Sequence, residues 1–142
     1  VKSSVEILNR AGEACKKAGL TLCYHNHDAE FKTVDGLIPY DTFLSDLNKD
    51  IKMELDLGWA SKAGVDPVEL FKKHPGRFPL WHLKDFDKDY KTILPVGSGV
   101  IDFKRIFDNA RLAGLQHPFV EHDMPPDAVE SLRSSMEYLK KL

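Results

Sequence analysis

Apolar positions along this chain follow two alternating periods. Val5, Ile7, Leu8, Ala11, Ala14, Cys15 and Ala18 recur every third or fourth residue, which predicts a helix over 3–18. Ser3 or Ser4 would open that helix and Gly19 would close it. Four short apolar runs instead predict strands at 20–25, 51–56, 79–84 and 117–121, each followed by a loop and a helical pattern. The predicted helices cover 40–49 with a cap near Asp41, Asp66-Pro67 to His74, and 103–113 between Asp102 and Gly114. A last one runs from Pro125-Pro126-Asp127 to residue 140, and a long polar loop spans 86–99. Strands alternating with helices give an α/β fold with parallel pairing and right-handed crossovers. One helix followed by four βα units is half of an eight-stranded barrel. An open four-stranded parallel sheet is the competing architecture. With no linker or repeat in sight, residues 1–142 read as a single domain.

The strands share a second feature. Leu20–His27, Ile51–Asp56, Pro79–Asp85 and Pro118–Asp123 all begin apolar and end in His, Asp or Glu. Strands that discharge oxygen and nitrogen ligands at their C-terminal ends have the layout of a barrel active site. The resulting set is His25, His27, Glu30, Asp56, His82, Lys84, Glu121, His122 and Asp123. Carboxylates with imidazole suit one divalent ion such as Mn²⁺, Co²⁺, Mg²⁺ or Zn²⁺. Such an ion polarises a substrate carbonyl or hydroxyl while a carboxylate moves the proton. Lys84 lies two residues after His82, on the same strand face, where it can hold a substrate oxygen.

Each of these residues also has an ordinary explanation. A single strand histidine is usually structural, Glu121 could be a salt-bridge partner, and Asp56 before Leu57-Gly58 could be a turn former. The repetition at four strand ends favours function. His74 and His117 are expected to be structural, Gly97-Ser98-Gly99 to be a flexible turn before the Asp102 cap, and Trp81 to be core. Trp59 could pack, or wall a sugar's apolar face.

Composition narrows the function. A hydrophobic share of 42% in 142 residues suffices for a core, and a net charge of −2 gives no basic footprint for nucleic acid. Two cysteines make no disulfide framework, so reduced thiols in a cytoplasmic setting are expected. No apolar run approaches the roughly 20 residues that span a bilayer, and the start leads into an amphipathic helix rather than a signal peptide.

Several stretches together resemble the sugar phosphate isomerase/epimerase family, the xylose-isomerase-like TIM barrels. They are Tyr24–Phe31, Glu54–Ala60, Gly64–Pro67, Gly76–Phe78, His82–Asp85, Gly97–Phe103 and Val120–Asp123. The likeness covers almost the whole chain but only the C-terminal half of the family's barrel, strands five to eight with the preceding helix. It implies a metal held by Asp56, His82 and Glu121, with Glu121 doubling as acid/base and Lys84 and His27 near the substrate. Many relatives have Glu-Asn-His where this chain has His25-Asn26-His27, so the first ligand is either His25 or Glu30. Glu30 is the favoured one, with His25 and His27 on the substrate side.

The expected activity is isomerisation or epimerisation of a keto-sugar or sugar phosphate by proton transfer next to a carbonyl. The alternatives are a lyase or dehydratase at the same site, or a non-catalytic half-barrel. A half-barrel exposes strand edges, so a homodimer or a missing N-terminal half is expected to complete it. The abasic-site nucleases that share the barrel fit poorly, since they need three zinc ions and a phosphate-binding surface. Neither nucleic acid nor a membrane is expected as a partner.

Overall fold

The helical period at the N-terminus forms α1 (Lys2–Lys17), which turns Val5 and Gly12 inward. Gly12 is there because a Cβ would sit 2.6 Å from Ile51 Cγ1. The computed structural model describes residues 1–142. In chain order there follow β1 (Cys23–His25), a 3-10 turn (Ala29–Phe31), α2 (Pro39–Asp46), β2 (Lys52–Asp56), α3 (Leu57–Lys62) and α4 (Pro67–Lys73). Then come β3 (Leu80–Leu83), β4 (Asp85–Phe86), β5 (Ile93–Leu94), α5 (Phe103–Phe107), α6 (Ala110–Ala113), β6 (His117–Val120) and α7 (Ala128–Leu139).

The main sheet has the order β1-β2-β3-β6, every pair parallel. The expected α/β layout of four parallel strands is therefore present, and it fits a TIM-barrel-like half. Side chains alternate across the sheet. Met53, Leu55, Trp81 and Leu83 are buried against the helices, while Lys52, Glu54, Leu80 and His82 face the other side and are half-buried. The helix-facing layer holds the core. Trp81, fully buried as expected, stacks on Phe71 with ring centroids 5.1 Å apart and planes 2° from parallel.

Several local expectations need correcting. α1 starts at Lys2 without a side-chain cap, so Ser3 and Ser4 lie inside its first turn. α2 likewise has Ile38, not Asp41, at its cap position, with Pro39 opening the helix. The polar stretch 86–99 is not one loop, because β4 and β5 pair antiparallel within it. The helix expected over 103–113 breaks into α5 and α6 at Asp108-Asn109. Helix α3 was not foreseen. It begins directly at the end of β2 because Asp56 caps it, its side chain accepting the Trp59 N–H. The strand expected from residue 117 does begin there, with His117 opposite Leu80.

Candidate metal centre

Asp56 is the pivot of the site. Its Oδ1 accepts the Trp59 N–H at 2.8 Å, which leaves Oδ2 facing the open side of the sheet. The residue is fully buried, and Asn26, just past β1, fixes its backbone. Asn26 Oδ1 accepts the Asp56 N–H at 3.0 Å and its amide donates to the Asp56 carbonyl at 3.4 Å. One asparagine thus continues the ladder where β1 and β2 would otherwise part.

The neighbouring strands bring the rest. His82 lies opposite Asp56 in the β2–β3 register. Past β6, Glu121 keeps to the sheet because its N–H donates to the Leu83 carbonyl at 3.1 Å. Its Oε2 lies 2.5 Å from His82 Nδ1. His25, the last residue of β1, places Nε2 3.6 Å from Asp56 Oδ2. Donor atoms of His25, Asp56, His82 and Glu121 all fall within 4.8 Å of one another.

This structure can hold a divalent cation at that point. Asp56 Oδ2 and His25 Nε2 are both buried and have no hydrogen-bond partner. Buried polar atoms without a hydrogen bond are costly unless something coordinates them. Two imidazoles and two carboxylates form a mixed nitrogen and oxygen set suited to Mn²⁺, Co²⁺ or Zn²⁺, and less to Mg²⁺. Asp56 also holds the His25 pKa above its usual value, with burial opposing.

Glu30 is not part of this cluster. Its carboxylate accepts the Tyr24 hydroxyl and the His27 N–H, each at 3.0 Å, and so ties the 3-10 turn back onto β1. His25, rather than Glu30, lies beside Asp56, His82 and Glu121. The reason is local: the two hydrogen bonds hold Glu30 where it stands.

Lys84 is 1% exposed and reaches into the site from the end of β3. Its ammonium lies 2.5 Å from Asp123 Oδ2, 3.2 Å from Glu121 Oε2 and 3.7 Å from Asp56 Oδ2. Burial disfavours the charge, yet Asp123, Asp56 and Glu121 hold the Lys84 pKa above the ordinary lysine value. The Lys84 ammonium in turn holds Asp123 below the usual carboxylate range. Between these two acids His122 points the other way, its Nδ1 2.7 Å from Ser131 Oγ.

Trp59 borders the site. Its ring lies 5.6 Å from His27 and 5.2 Å from Phe86, with Lys84 Nζ 5.4 Å from its centroid. The exposed His27 ring meets His25 edge-on at 5.0 Å. Two contributors escaped the sequence reading. Glu54 lies 3.1 Å from His82 Nε2, and only its two-residue spacing from Asp56 could have flagged it. Asp85, fully buried, accepts backbone N–H groups from Phe86, Gly97, Gly99 and Ile101. Gly97-Ser98-Gly99 is therefore not a free turn but a cradle around the Asp85 carboxylate.

Comparison with known proteins agrees with this geometry. Residues 2–142 match the family described as xylose isomerase-like TIM barrel. The chain belongs to that family. An inosose dehydratase of Geobacillus kaustophilus is 31% identical over 123 residues, 75% of this chain and 40% of that protein. A sugar phosphate isomerase/epimerase structure from Parabacteroides distasonis superposes with a TM-score of 0.85 at 35% identity, over 96% of this chain and 50% of that one. A second such structure from the same organism gives 0.83 at 28%, over 98% and 52%. The chain thus spans about half the length of the relatives it matches. No helix of the chain is long and apolar enough to cross a membrane.

Proposed function

We propose that this chain carries the metal-binding half of an enzyme that isomerises or epimerises a keto-sugar or sugar phosphate by proton transfer next to a carbonyl. The observation that carries this reading is the convergence of His25, Asp56, His82 and Glu121, with Asp56 Oδ2 and His25 Nε2 buried and unpartnered. A divalent cation held there supplies Lewis-acid polarisation of a substrate oxygen. Glu121, 32% exposed at its side chain, is the member open enough to exchange a proton with substrate carbon. Lys84 aims an ammonium at the same space and donates to an oxygen that gains negative charge. His27 and Trp59 form an adjoining wall, the ring giving a flat apolar surface and the imidazole a polar edge.

The test is a metal analysis followed by exchange. Purified chain should carry or take up one Mn²⁺, lose it to EDTA, and fail to bind it as Asp56→Ala or His82→Ala. A keto-sugar in D₂O should then exchange its α-proton only with the loaded protein. Failure of the wild type to take up any divalent metal would remove the reading.

A dehydratase reading is favoured by one feature. The Lys84 ammonium, hydrogen-bonded to Asp123, brings a charged donor to the oxygen of a departing hydroxyl. Solvent deuterium incorporated without loss of water supports the epimerase; water loss with formation of an unsaturated ketone supports the dehydratase.

We further propose that 1–142 is one domain whose strands stand for the fifth to eighth of the barrel, completed by an N-terminal half or by a second copy. Phe119 of β6 is exposed at the unpaired edge of the sheet, and the exposed Met136 and Leu142 line a hollow with Pro118 and Val120, which supports such a completion. The reduced Cys15 and Cys23 agree with a cytoplasmic setting.

A further inference from the structure

His82 is gripped from both sides, and only one grip belongs to the four-residue cluster. Nδ1 faces the cluster, 2.5 Å from Glu121 Oε2 and 4.0 Å from Asp56 Oδ2. Nε2 faces away from it, 3.1 Å from Glu54 Oε1. Glu54 and Asp56 are two residues apart on β2, so both project from the open face of the sheet. Glu54 therefore meets the ring one pleat nearer the start of the strands.

An imidazole can offer a lone pair at one nitrogen only while the proton sits on the other. A carboxylate that accepts from one ring nitrogen fixes that choice, sets the ring plane and raises the basicity of the nitrogen left free. Glu54 is placed to do this for His82. The ring is its hydrogen-bond partner, and the side chain is only 22% exposed, so water competes weakly for it.

We propose that Glu54 is a positioning residue that holds His82 in the Nε2–H form with Nδ1 directed at the cation. This rests on the metal reading given above. It assigns Glu54 no contact with metal or substrate; its action passes wholly through the His82 ring.

Two measurements test it. The first is Mn²⁺ affinity by electron paramagnetic resonance for wild type, Glu54→Ala, Glu54→Gln and His82→Ala. Glu54→Ala should bind about 10- to 100-fold more weakly, the range usual for losing such a partner. Glu54→Gln should recover most of the affinity, because its amide oxygen still accepts from Nε2–H. The second is a long-range ¹H–¹⁵N spectrum of the Zn²⁺-loaded wild type, which should show His82 metal-bound at Nδ1 and protonated at Nε2. Equal Mn²⁺ affinity in wild type and Glu54→Ala, with His82→Ala impaired, overturns the inference while leaving the metal reading intact. So does a spectrum with Nε2 metallated, which needs no variant to fold. A wild type that binds no divalent metal overturns the metal reading and this inference with it.

Discussion

Asp85 is the residue whose loss should cost the fold most for the least change in volume. It directly follows Lys84, is fully buried, and gathers four backbone donors. Oδ1 accepts from Phe86 at 2.9 Å and Ile101 at 3.2 Å; Oδ2 accepts from Gly97 and Gly99, both at 2.9 Å. Hydrogen bonds to a charged group contribute about 1.5–3 kcal/mol each, and a buried donor left without a partner loses about as much. Three of the four tie residues 97–101 to the start of β4. A simple sum for those three is about 4–9 kcal/mol, but the loop can swing out and rehydrate its amides, which caps the loss. Asp85→Ala should therefore destabilise by about 3–5 kcal/mol, or roughly 10–15 °C in Tm for a chain of this length. Asp85→Asn should lose at least half of that, since one carboxylate oxygen becomes an NH₂ that opposes two N–H donors. Thermal melts followed by circular dichroism give the first number. Amide exchange at Gly97, Gly99 and Ile101 gives the second, and all three should lose protection together. If both variants melt within about 3 °C of the parent, with those amides still protected, the cradle is not what holds the loop.

Gly58→Ala should cost about 1–3 kcal/mol in urea unfolding, because the new Cβ would lie 2.6 Å from the Lys84 carbonyl and 2.9 Å from Lys84 Cβ. An unchanged midpoint would show that the α3–β3 contact yields freely. Saturating Mn²⁺ at about 100 times its Kd should stabilise the wild type by about 2.7 kcal/mol and leave Asp56→Ala unmoved; an equal rise in both would place the ion elsewhere. Tyr40 has a buried hydroxyl with no partner, and burial first, then the charges of Tyr24 and Glu30, push its pKa well above that of a free phenol. Its folded value exceeds the unfolded one, so its stabilising share is complete below about pH 10 and falls by about 1.4 kcal/mol per pH unit above it. Tyr40→Phe should be neutral or stabilising by about 1 kcal/mol at pH 7 and flatten that alkaline fall; a loss of stability at neutral pH would mean that the hydroxyl has a partner after all.

The parallel order of the strands was legible because it rests on burial, and burial writes period two into β2 and β3. Met53, Leu55, Trp81 and Leu83 could only face the helices, so Asp56 and His82 had to share the opposite side with Glu54. Metal-ligand candidates at strand ends follow from that same alternation. What stayed hidden was decided by single hydrogen bonds. Asp56 reads equally well as a turn former and as a ligand; in the structure one oxygen caps α3 and the other has no hydrogen-bond partner. The β4–β5 pair could not be seen, since Asp85-Phe86 and Ile93-Leu94 are too short to carry a period. The role of Gly97 and Gly99 was equally hidden, because it depends on a carboxylate twelve to fourteen residues away.

His25 and Glu30 compete for one place beside Asp56, and backbone pairing separates them. Glu30 carries the harder ligand but stands on the 3-10 turn, outside the cluster. His25 lies at the end of a strand whose direction is fixed by pairing with Glu54. A side chain already on the right face needs no further ordering, whereas Glu30 would have to give up two hydrogen bonds to arrive. The Tyr24 hydroxyl that holds it comes from the opposite face of the same strand, so the residue that packs β1 against Phe43 also keeps Glu30 away from the His25, Asp56, His82 and Glu121 cluster. Tyr24→Phe should therefore leave the fold largely intact, loosen Glu30 and let it compete with His25. Mn²⁺ affinity of His25→Ala set against that of Tyr24→Phe/His25→Ala measures the competition directly. Partial recovery of affinity in the double variant is expected. No recovery would mean that strand geometry alone, and not the tyrosine, decides which residue binds.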